Sequence, residues 1–452
     1  VGAFAGKVVF VLGLGKTGQS AMAYLLAEGA TVLAWDDDAA KHAPLPKGVT
    51  LTDPATCDWS RVQELLKSPG VPETVPAVEA ALAAGVTLTG DVDLLYLREA
   101  DSTFIGITGT NGKSTTTALI GHVLAEAGHK VAVGGNIGVA PLTLPSLGRG
   151  GIYVLELSSY QLLQTAKLRC HVGVLLNLTP DHMERHKTMD GYLSAKLRLF
   201  DRQLREDIRV VGVDTPHTAA YAKNGYGGNI LRPVSVDGHP AGIVVDADGF
   251  LKDSDLGFRP LTLVDCRTLG NLPGRHNWQN VACAWAAVKD YMTAEQFVRG
   301  VRSFKGLPHR LEQVATVDGI TFINDSKATN ADAANKALTS FDDIYLIAGG
   351  QPKAEGIAPC LPYLSGVREV FLIGEAAAEF EKTLRGHVPT RQCGTLDVAV
   401  RAAYAAARKN RRRPAYVMLS PACASWDQFD NFEHRGEVFA QLARDIVAGA
   451  AA

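Results

Sequence analysis

The segment Gly109-Thr-Asn-Gly112-Lys113-Ser114-Thr115 limits the possible folds more than any other part of the chain. It joins an apolar run, Thr103–Thr108, that reads as a buried strand, to a helical pattern that stops near Gly128. A glycine-rich turn leading from a strand into a helix forms a phosphate cradle. Backbone N–H groups and the helix N-terminus face phosphate oxygens, a lysine neutralises the β/γ charge, and Ser114 or Thr115 can ligate Mg²⁺. The spacing is a variant of G-x-x-x-x-G-K-[ST], because position 107 is Ile and the preceding glycines are Gly106 and Gly109. The pattern implies an α/β sheet and nucleoside triphosphate chemistry, the alternative being a tight strand-to-helix turn without a ligand.

The same rhythm recurs along the chain. Lys7–Leu12 reads as a strand, followed by Gly13-Leu-Gly15-Lys16-Thr17-Gly18, an Ala-rich helix to Glu28, and a strand Thr31–Trp35 ending in Asp36. This is a βαβ unit of the dinucleotide-binding kind. Further strands are expected at Ile152–Leu155 and Val172–Leu176, and Gly225–Gly270 suggests antiparallel elaboration. Gly306-Leu-Pro-His-Arg310 reads as a linker into a third block with strands at Ile344–Ala348, Glu369–Ile373 and Tyr416–Leu419. At 452 residues, a prior of roughly 100–200 residues per domain gives about three domains. The expected limits are 1–100, 101–306 and 307–452.

Charged residues make up 20% of the chain, hydrophobic ones 46%, and the formal net charge is −2, which is the balance of a globular enzyme and not of a nucleic-acid binder. The short basic run Arg411–Arg413 reads as a solvated helix end. Seven scattered cysteines without a C-x-x-C pair read as reduced core residues. The chain opens on an apolar strand without a leader pattern, and no apolar run reaches the ~18 residues of a membrane span, so a cytoplasmic location is expected.

Glu156 closes an apolar strand beside the phosphate loop and is a candidate Mg²⁺ ligand, although a strand-terminal Glu is as readily surface decoration. Lys196 lies in the amphipathic run Tyr192–Phe200, where the residues alone favour an exposed face. His182 and His186 do not form the H-E-x-x-H zinc pattern, and His186 is expected at the surface. The Gly13–Gly18 motif with Asp36 would in isolation suit NAD and an oxidoreductase. That alternative leaves the phosphate loop, Glu156 and His182 without a purpose, whereas UDP presents a pyrophosphate and ribose to the same geometry.

Five ordered motifs, Thr108-Gly-Thr-Asn-Gly-Lys-Ser-Thr115, Gly134-Gly-Asn-Ile-Gly138, Glu156-Leu-Ser-Ser159, Asn177-Leu-Thr-Pro-Asp-His182 and Pro273-Gly-Arg-His-Asn277, resemble the signature of the Mur ligase family. Gly306–Arg310, Asn324-Asp-Ser-Lys-Ala-Thr-Asn330 and Leu419–Phe429 resemble the D-glutamate-adding members. The D-N-P-R motif of the diamino-acid members does not occur. A non-catalytic relative would lack at least one of Lys113, Glu156, His182 and Lys196, and all are present.

The resemblance implies three α/β domains: a Rossmann-like N-terminal domain for UDP, a central P-loop-type ATPase domain, and a Rossmann-like C-terminal domain that brings the amino acid. It implies an ATP-dependent ligase joining D-glutamate to UDP-N-acetylmuramoyl-L-alanine through an acyl phosphate, in peptidoglycan precursor synthesis, acting as a monomer. By resemblance the catalytic residues are Lys113, Glu156, His182 and Lys196. Gly109, Thr110, Asn111, Gly112, Lys113, Ser114, Thr115, Asn277, Asn280, Arg310, Asp325 and Lys327 serve ATP. Two Mg²⁺ ions are implied, held by Ser114, Glu156, His182 and a carbamylated Lys196. Gly13, Gly15, Lys16, Thr17, Gly18, Asp36, Ser68, Asn136 and Ser158 are implied for the UDP substrate. Thr329, Lys353, Ser425 and Phe432 are implied for D-glutamate. The family often carries a basic residue shortly after the position of Asp36, where this chain has Asp37 and Asp38.

Overall fold

The computed structural model describes residues 2–224, 228–239, 242–255, 260–353, 355–410 and 414–451. The basic run Arg411–Arg413 lies outside the described residues. Among the described residues the strands form three sheets of five, nine and six strands.

The first sheet contains β1 (Val8–Leu12), β2 (Thr31–Trp35), β3 (Val49–Leu51), β4 (Glu64–Lys67) and β5 (Thr87–Thr89), in the order β3-β2-β1-β4-β5 and all parallel. Its strands are apolar on both faces because helices cover both, as crossover connections require. Phe10, Leu65, Val78 and Trp59 fill one side, and Val9, Val11, Val32 and Met22 the other.

The second sheet contains β6 (Thr103–Thr108), β7 (Val131–Gly135), β8 (Ile152–Glu156), β9 (Val172–Leu175), β10 (Ile208–Gly212), β11 (Ile230–Ser235), β12 (Ile243–Val245), β13 (Phe250–Asp253) and β14 (Leu261–Asp265). Its order is β14-β13-β12-β11-β10-β9-β6-β8-β7. The antiparallel elaboration expected over Gly225–Gly270 holds only in part: β11 and β12 both continue the parallel sheet, and β12 with β13 forms the antiparallel pair. Turn residues locate a connection, but which neighbour a short strand chooses depends on the sheet edge already in place.

The third sheet contains β15 (Glu312–Val317), β16 (Ile320–Asn324), β17 (Ile344–Gly349), β18 (Val367–Ile373), β19 (Thr390–Gly394) and β20 (Ala415–Leu419), in the order β15-β16-β20-β17-β18-β19. Among the described residues of this sheet only β15 runs antiparallel to its neighbour.

The chain divides into two compact units, 1–264 with 279–301, and 265–278 with 302–452. The first two sheets share one unit for a visible reason. The buried Asp93 carboxylate accepts the N–H groups of Ala166, Lys167 and Leu168 at 2.8–2.9 Å, and the Lys167 ammonium reaches back to Glu64 on β4. The cysteines are free, and five are buried. Cys57 and Cys393 are only half-buried, which corrects the expectation that all are core residues.

Candidate active site

In the second sheet β9, β6, β8 and β7 are adjacent and parallel, so their C-terminal ends open onto one edge. That edge is where α/β sheets bind ligands, because neither helices nor strands cover it. The phosphate loop leaves β6, Asn136 follows β7, Glu156 ends β8, and Asn177 follows β9.

The loop bends through Gly109 (φ 152°) and Gly112 (φ 84°) into the helix Lys113–Glu126. Asn177 clamps it in both directions: the Asn111 N–H donates to Asn177 Oδ1 at 2.9 Å, and Asn177 Nδ2 donates to the Asn111 carbonyl at 3.1 Å. Gln279 Oε1 also accepts from Asn177 Nδ2, and Gln279 Nε2 donates to Asp214 at 2.7 Å. Sequence reasoning gave Asn177 no role; its only signal was membership of a motif. A methyl group on Gly112 would lie 2.3 Å from Asn280 Oδ1, in a left-handed conformation that L-residues disfavour. Gly112→Ala is therefore expected to cost ~1–3 kcal/mol of stability and to weaken ATP binding, read by thermal denaturation and by calorimetry.

Two lysines converge on one carbonyl. Lys113 Nζ donates to Gly109 O at 3.1 Å and to Thr110 O at 2.8 Å, and Lys196 Nζ donates to the same Gly109 O at 2.8 Å. Lys196 is 1% exposed and its ammonium sits 4.4 Å from the Tyr192 ring centroid, so the exposed face favoured by the residue pattern is not where it lies. The helix Met189–Leu197 turns that face toward the phosphate loop, and periodicity cannot distinguish a solvent face from one turned toward a polar site. Burial, and then the like charge of Lys113, bring its pKa down to about 7.

Glu156 is 3% exposed. Its Oε1 accepts from Asn136 Nδ2 at 2.9 Å, and its Oε2 is buried without a hydrogen-bond partner. A buried carboxylate oxygen in that state is costly unless a cation or donor meets it, and the hard oxygen of a carboxylate suits Mg²⁺. His182, by contrast, is exposed at φ 55°, with Asp181 and Glu184 beside its ring. Among the described residues no three His, Cys, Asp or Glu side chains form a metal-binding cluster. His186, expected at the surface, is half-buried: its Nε2 lies 2.9 Å from Ser159 Oγ, and its ring stacks on Tyr160. Ser158 caps the helix Ser159–Gln164 in a capping box with Gln161, and Ser114 is buried in the first turn after the loop.

At the C-terminal edge of the first sheet, Gly13 (φ 94°) packs so closely on Ser68 that a Cβ would lie 2.5 Å from Ser68 Oγ, and a Cβ on Gly18 would lie 2.1 Å from Gly13 O. Gly15, Lys16 and Thr17 complete that turn into the helix Lys16–Ala27. Asp36 accepts the Leu14 N–H at 2.7 Å and the Asp38 N–H at 2.9 Å. Burial pushes the Asp36 carboxyl up, but these two N–H groups and the Lys41 ammonium outweigh it and hold it below the usual range. Lys41 thus supplies the cation that positions 37 and 38 lack. A cleft of about 560 Å³ opens here, lined among others by Gly13, Trp35, Asp36, Cys57, Trp59 and Val71.

In the third sheet β16, β20 and β17 are adjacent and parallel, so the segments leaving their C-terminal ends are gathered at one edge. Asp325, Lys327 and Thr329 come after β16, Ser425 after β20, and the exposed Lys353 after β17. Gln351 N–H donates to Ala424 O at 3.0 Å and joins the last two turns. Asp325 accepts from Ser420 Oγ at 2.8 Å, and burial raises its pKa to about 7. Lys327 Nζ sits 3.9 Å from the Phe432 ring centroid. The buried Arg435 donates to the carbonyls of Ser326, Cys423 and Ala424 and so ties these turns together; no sequence signal separates it from an ordinary helix arginine. Asn277, whose Nδ2 donates to Pro273 O, and Arg310 belong to this second compact unit, and Asn280 to the first.

Three family descriptions match the chain: the Mur ligase MurD-like N-terminal domain over residues 7–90, the Mur ligase middle domain over 107–288, and the Mur ligase glutamate ligase domain over 309–423. The UDP-N-acetylmuramoylalanine–D-glutamate ligase of Rhodospirillum rubrum is 47% identical over 98% of this chain and 95% of its own length. The protein of the same name from Phenylobacterium zucineum is 44% identical over 100% and 99%. Among solved structures, the UDP-N-acetylmuramate-alanine ligase MurC of Thermotoga maritima superimposes with a TM-score of 0.59 at 16% identity, over 97% of this chain and 99% of that one. The MurF ligase of Thermotoga maritima in complex with ADP gives 0.60 at 15%, over 98% and 96%. At those identities the two structures speak for the fold alone, whereas the sequence relatives and the three consecutive domain matches carry the lineage: the chain belongs to the Mur ligase family.

Proposed function

We infer that the chain is an ATP-dependent ligase that joins D-glutamate to UDP-N-acetylmuramoyl-L-alanine in peptidoglycan precursor synthesis, using ATP with Mg²⁺. The observation that carries the chemistry is the convergence of Lys113 and Lys196 on Gly109 O, next to a buried Glu156 with one unpartnered oxygen.

A carboxylate is a poor electrophile, so the L-alanyl carboxylate first attacks the γ-phosphorus of ATP. The bond to the β–γ bridging oxygen breaks and ADP leaves. The D-glutamate amine then adds to the acyl phosphate carbonyl, and the tetrahedral intermediate expels phosphate and a proton to give the amide. Bringing two anions together calls for cations and donors, not for a protein nucleophile. We assign Lys113 and the loop N–H groups from Gly109 to Thr115 to the ATP phosphates, and Asn277, Asn280, Arg310, Asp325 and Lys327 to the rest of the nucleotide. Ser114, Glu156, His182 and a carbamate on Lys196 are the residues that would hold Mg²⁺. When bound, the metal screens the charge between the phosphates and the carboxylate. Carbamylation forms a bond from the neutral Lys196 nitrogen to CO₂ and releases a proton; an amine brought down to about 7 is chemically suited to it. It would turn one of two adjacent cations into the additional carboxylate that the site lacks.

The Gly13–Gly18 turn, Asp36 and Ser68 are assigned to UDP, Asn136 and Ser158 to the muramoyl end, and Thr329, Lys353, Ser425 and Phe432 to D-glutamate. A dicarboxylate needs a cation and several donors, which Lys353 and the Ser425 turn supply. We place the domain limits at 1–100, 101–306 and 307–452, and take the enzyme to be a cytoplasmic monomer. Among the described residues no helix is long and apolar enough to cross a membrane.

The test is phosphate release with UDP-N-acetylmuramoyl-L-alanine and, separately, D-glutamate, L-glutamate or diaminopimelate, with NADH binding as a control. Release is expected with D-glutamate only. Turnover with L-glutamate or diaminopimelate, but not with D-glutamate, would overturn the assignment.

A further inference from the structure

Glu73 lies between two cations, one on a strand of the first sheet and one on a short helix in the segment that follows β9 of the second. On one side is Lys67, the last residue of β4, whose side chain is fully buried and whose ammonium sits 2.9 Å from Glu73 Oε1. That ammonium also donates to the Val71 carbonyl at 2.8 Å. With the Gln164 amide oriented to satisfy both its ends, Lys67 Nζ donates to its oxygen at 2.8 Å, and its nitrogen donates to Lys67 O at 2.8 Å. On the other side is Arg185, in the short helix Met183–His186, whose Nη2 pairs with Glu73 Oε2. The Arg185 guanidinium packs 4.8 Å from the Tyr160 ring centroid.

Both ends of this chain of contacts lie next to assigned residues. Ser68 directly follows Lys67, and its hydroxyl donates to Gly13 O. His182 is three residues before Arg185 and sits in the left-handed conformation at φ 55°. The Arg185 N–H donates to His182 O at 3.1 Å, which closes that turn from within. Glu73 anchors the same turn from outside.

We propose that Glu73 is a positioning residue: the Lys67–Glu73–Arg185 chain sets the register between the Ser68–Val71 turn, at the diphosphate end of the UDP-linked substrate, and the His182 turn, at its reacting carboxylate. This rests on the functional reading above. A ligand that spans both turns is aligned only when the two keep their spacing, whereas a ligand that touches one of them is indifferent to it.

Glu73→Gln is expected to weaken binding of UDP-N-acetylmuramoyl-L-alanine about tenfold, measured by calorimetry with Mg²⁺ and without ATP, and to lower kcat about tenfold. UMP, which reaches only the first turn, is expected to bind the variant and the parent alike, and KM for ATP to stay within about twofold. Arg185→Lys keeps the charge but loses the planar fork, and is expected to give an intermediate loss. The double variant Glu73→Gln/Arg185→Met is expected to lose no more than the more impaired of Glu73→Gln and Arg185→Met alone, as for residues that act as a unit. Unchanged substrate affinity, or equal losses for UMP, ATP and the full substrate, would overturn the proposal. If circular dichroism shows Glu73→Gln unfolded, Arg185→Lys decides by the same comparisons. A parent protein inactive on UDP-N-acetylmuramoyl-L-alanine would defeat the functional reading; an active parent with an unaffected Glu73→Gln would defeat this proposal alone.

Discussion

Lys196→Ala is expected to lose about 10³-fold in kcat, and short carboxylic acids such as formate or acetate to restore part of it. The alanine leaves a buried space beside Lys113 and Gly109 O where a carbamate would lie, and a small carboxylate supplies the same charge there. Lys196→Arg separates this role from that of a plain cation, because a guanidinium stays protonated and does not take up CO₂. It is expected to be as inactive as the alanine variant and not to be rescued. Near-parental activity of Lys196→Arg, or no carbamate signal in active enzyme equilibrated with ¹³C-bicarbonate, would rule the carbamate out.

The sign of the pH dependence comes from the same residue. With a pKa of about 7, unmodified Lys196 is mostly an ammonium at pH 6 and mostly a free amine at pH 8, so at equal dissolved CO₂ the recovery of CO₂-stripped enzyme is expected to be faster at pH 8. In the unfolded chain the same amine keeps its ordinary value of 10.5. Between these values the unfolded state binds a proton that the folded state does not, so this residue makes stability rise with pH from about 7 upward. Lys196→Met should flatten that slope in CO₂-free urea titrations.

Glu156→Gln is expected to have two effects of opposite sign. Activity should fall about 10³-fold, because an amide is a far poorer partner for a divalent cation than a carboxylate. Metal-free protein, however, should become more stable by ~1–3 kcal/mol, because a buried anionic oxygen without a partner is replaced by a neutral group. The Asn136 Nδ2 contact to the remaining oxygen survives the change. Denaturation with and without Mg²⁺ and ATP reads both effects. The parent should gain stability from the ligands and the variant should gain much less, by linkage. A variant less stable than the parent without metal would mean that Glu156 Oε2 is met by a donor, and its candidacy as a metal ligand would fall.

The strand-turn-helix passages were legible because each is local. Thr103–Thr108 followed by Gly109–Thr115 can be read from apolar runs and glycines, and the expected strands at Thr31–Trp35 and Thr103–Thr108 end where the structure ends them. The short strands β11 and β12 were less legible, since a segment of three to six residues takes its direction from the edge it meets. The carboxylate of Glu156 and the ammonium of Lys196 were visible as residues but not as buried groups. A strand-terminal Glu and a lysine on an amphipathic helix are surface residues in most folds.

What the sequence determined by itself was the order of the phosphate-binding turns, the α/β class and the set of chemical groups available, because all three depend on residue types at fixed short spacings. Which of those groups share a site was settled by the packing of the folded chain. The convergence of Lys196 with Lys113 on Gly109 O joins positions 87 residues apart, and the Glu73–Arg185 contact joins positions 112 apart. Such pairs arise from strand order and from which helix face is turned toward the sheet edge. Burial then gives them their chemistry, by stripping water from a lysine and leaving a carboxylate oxygen without a partner.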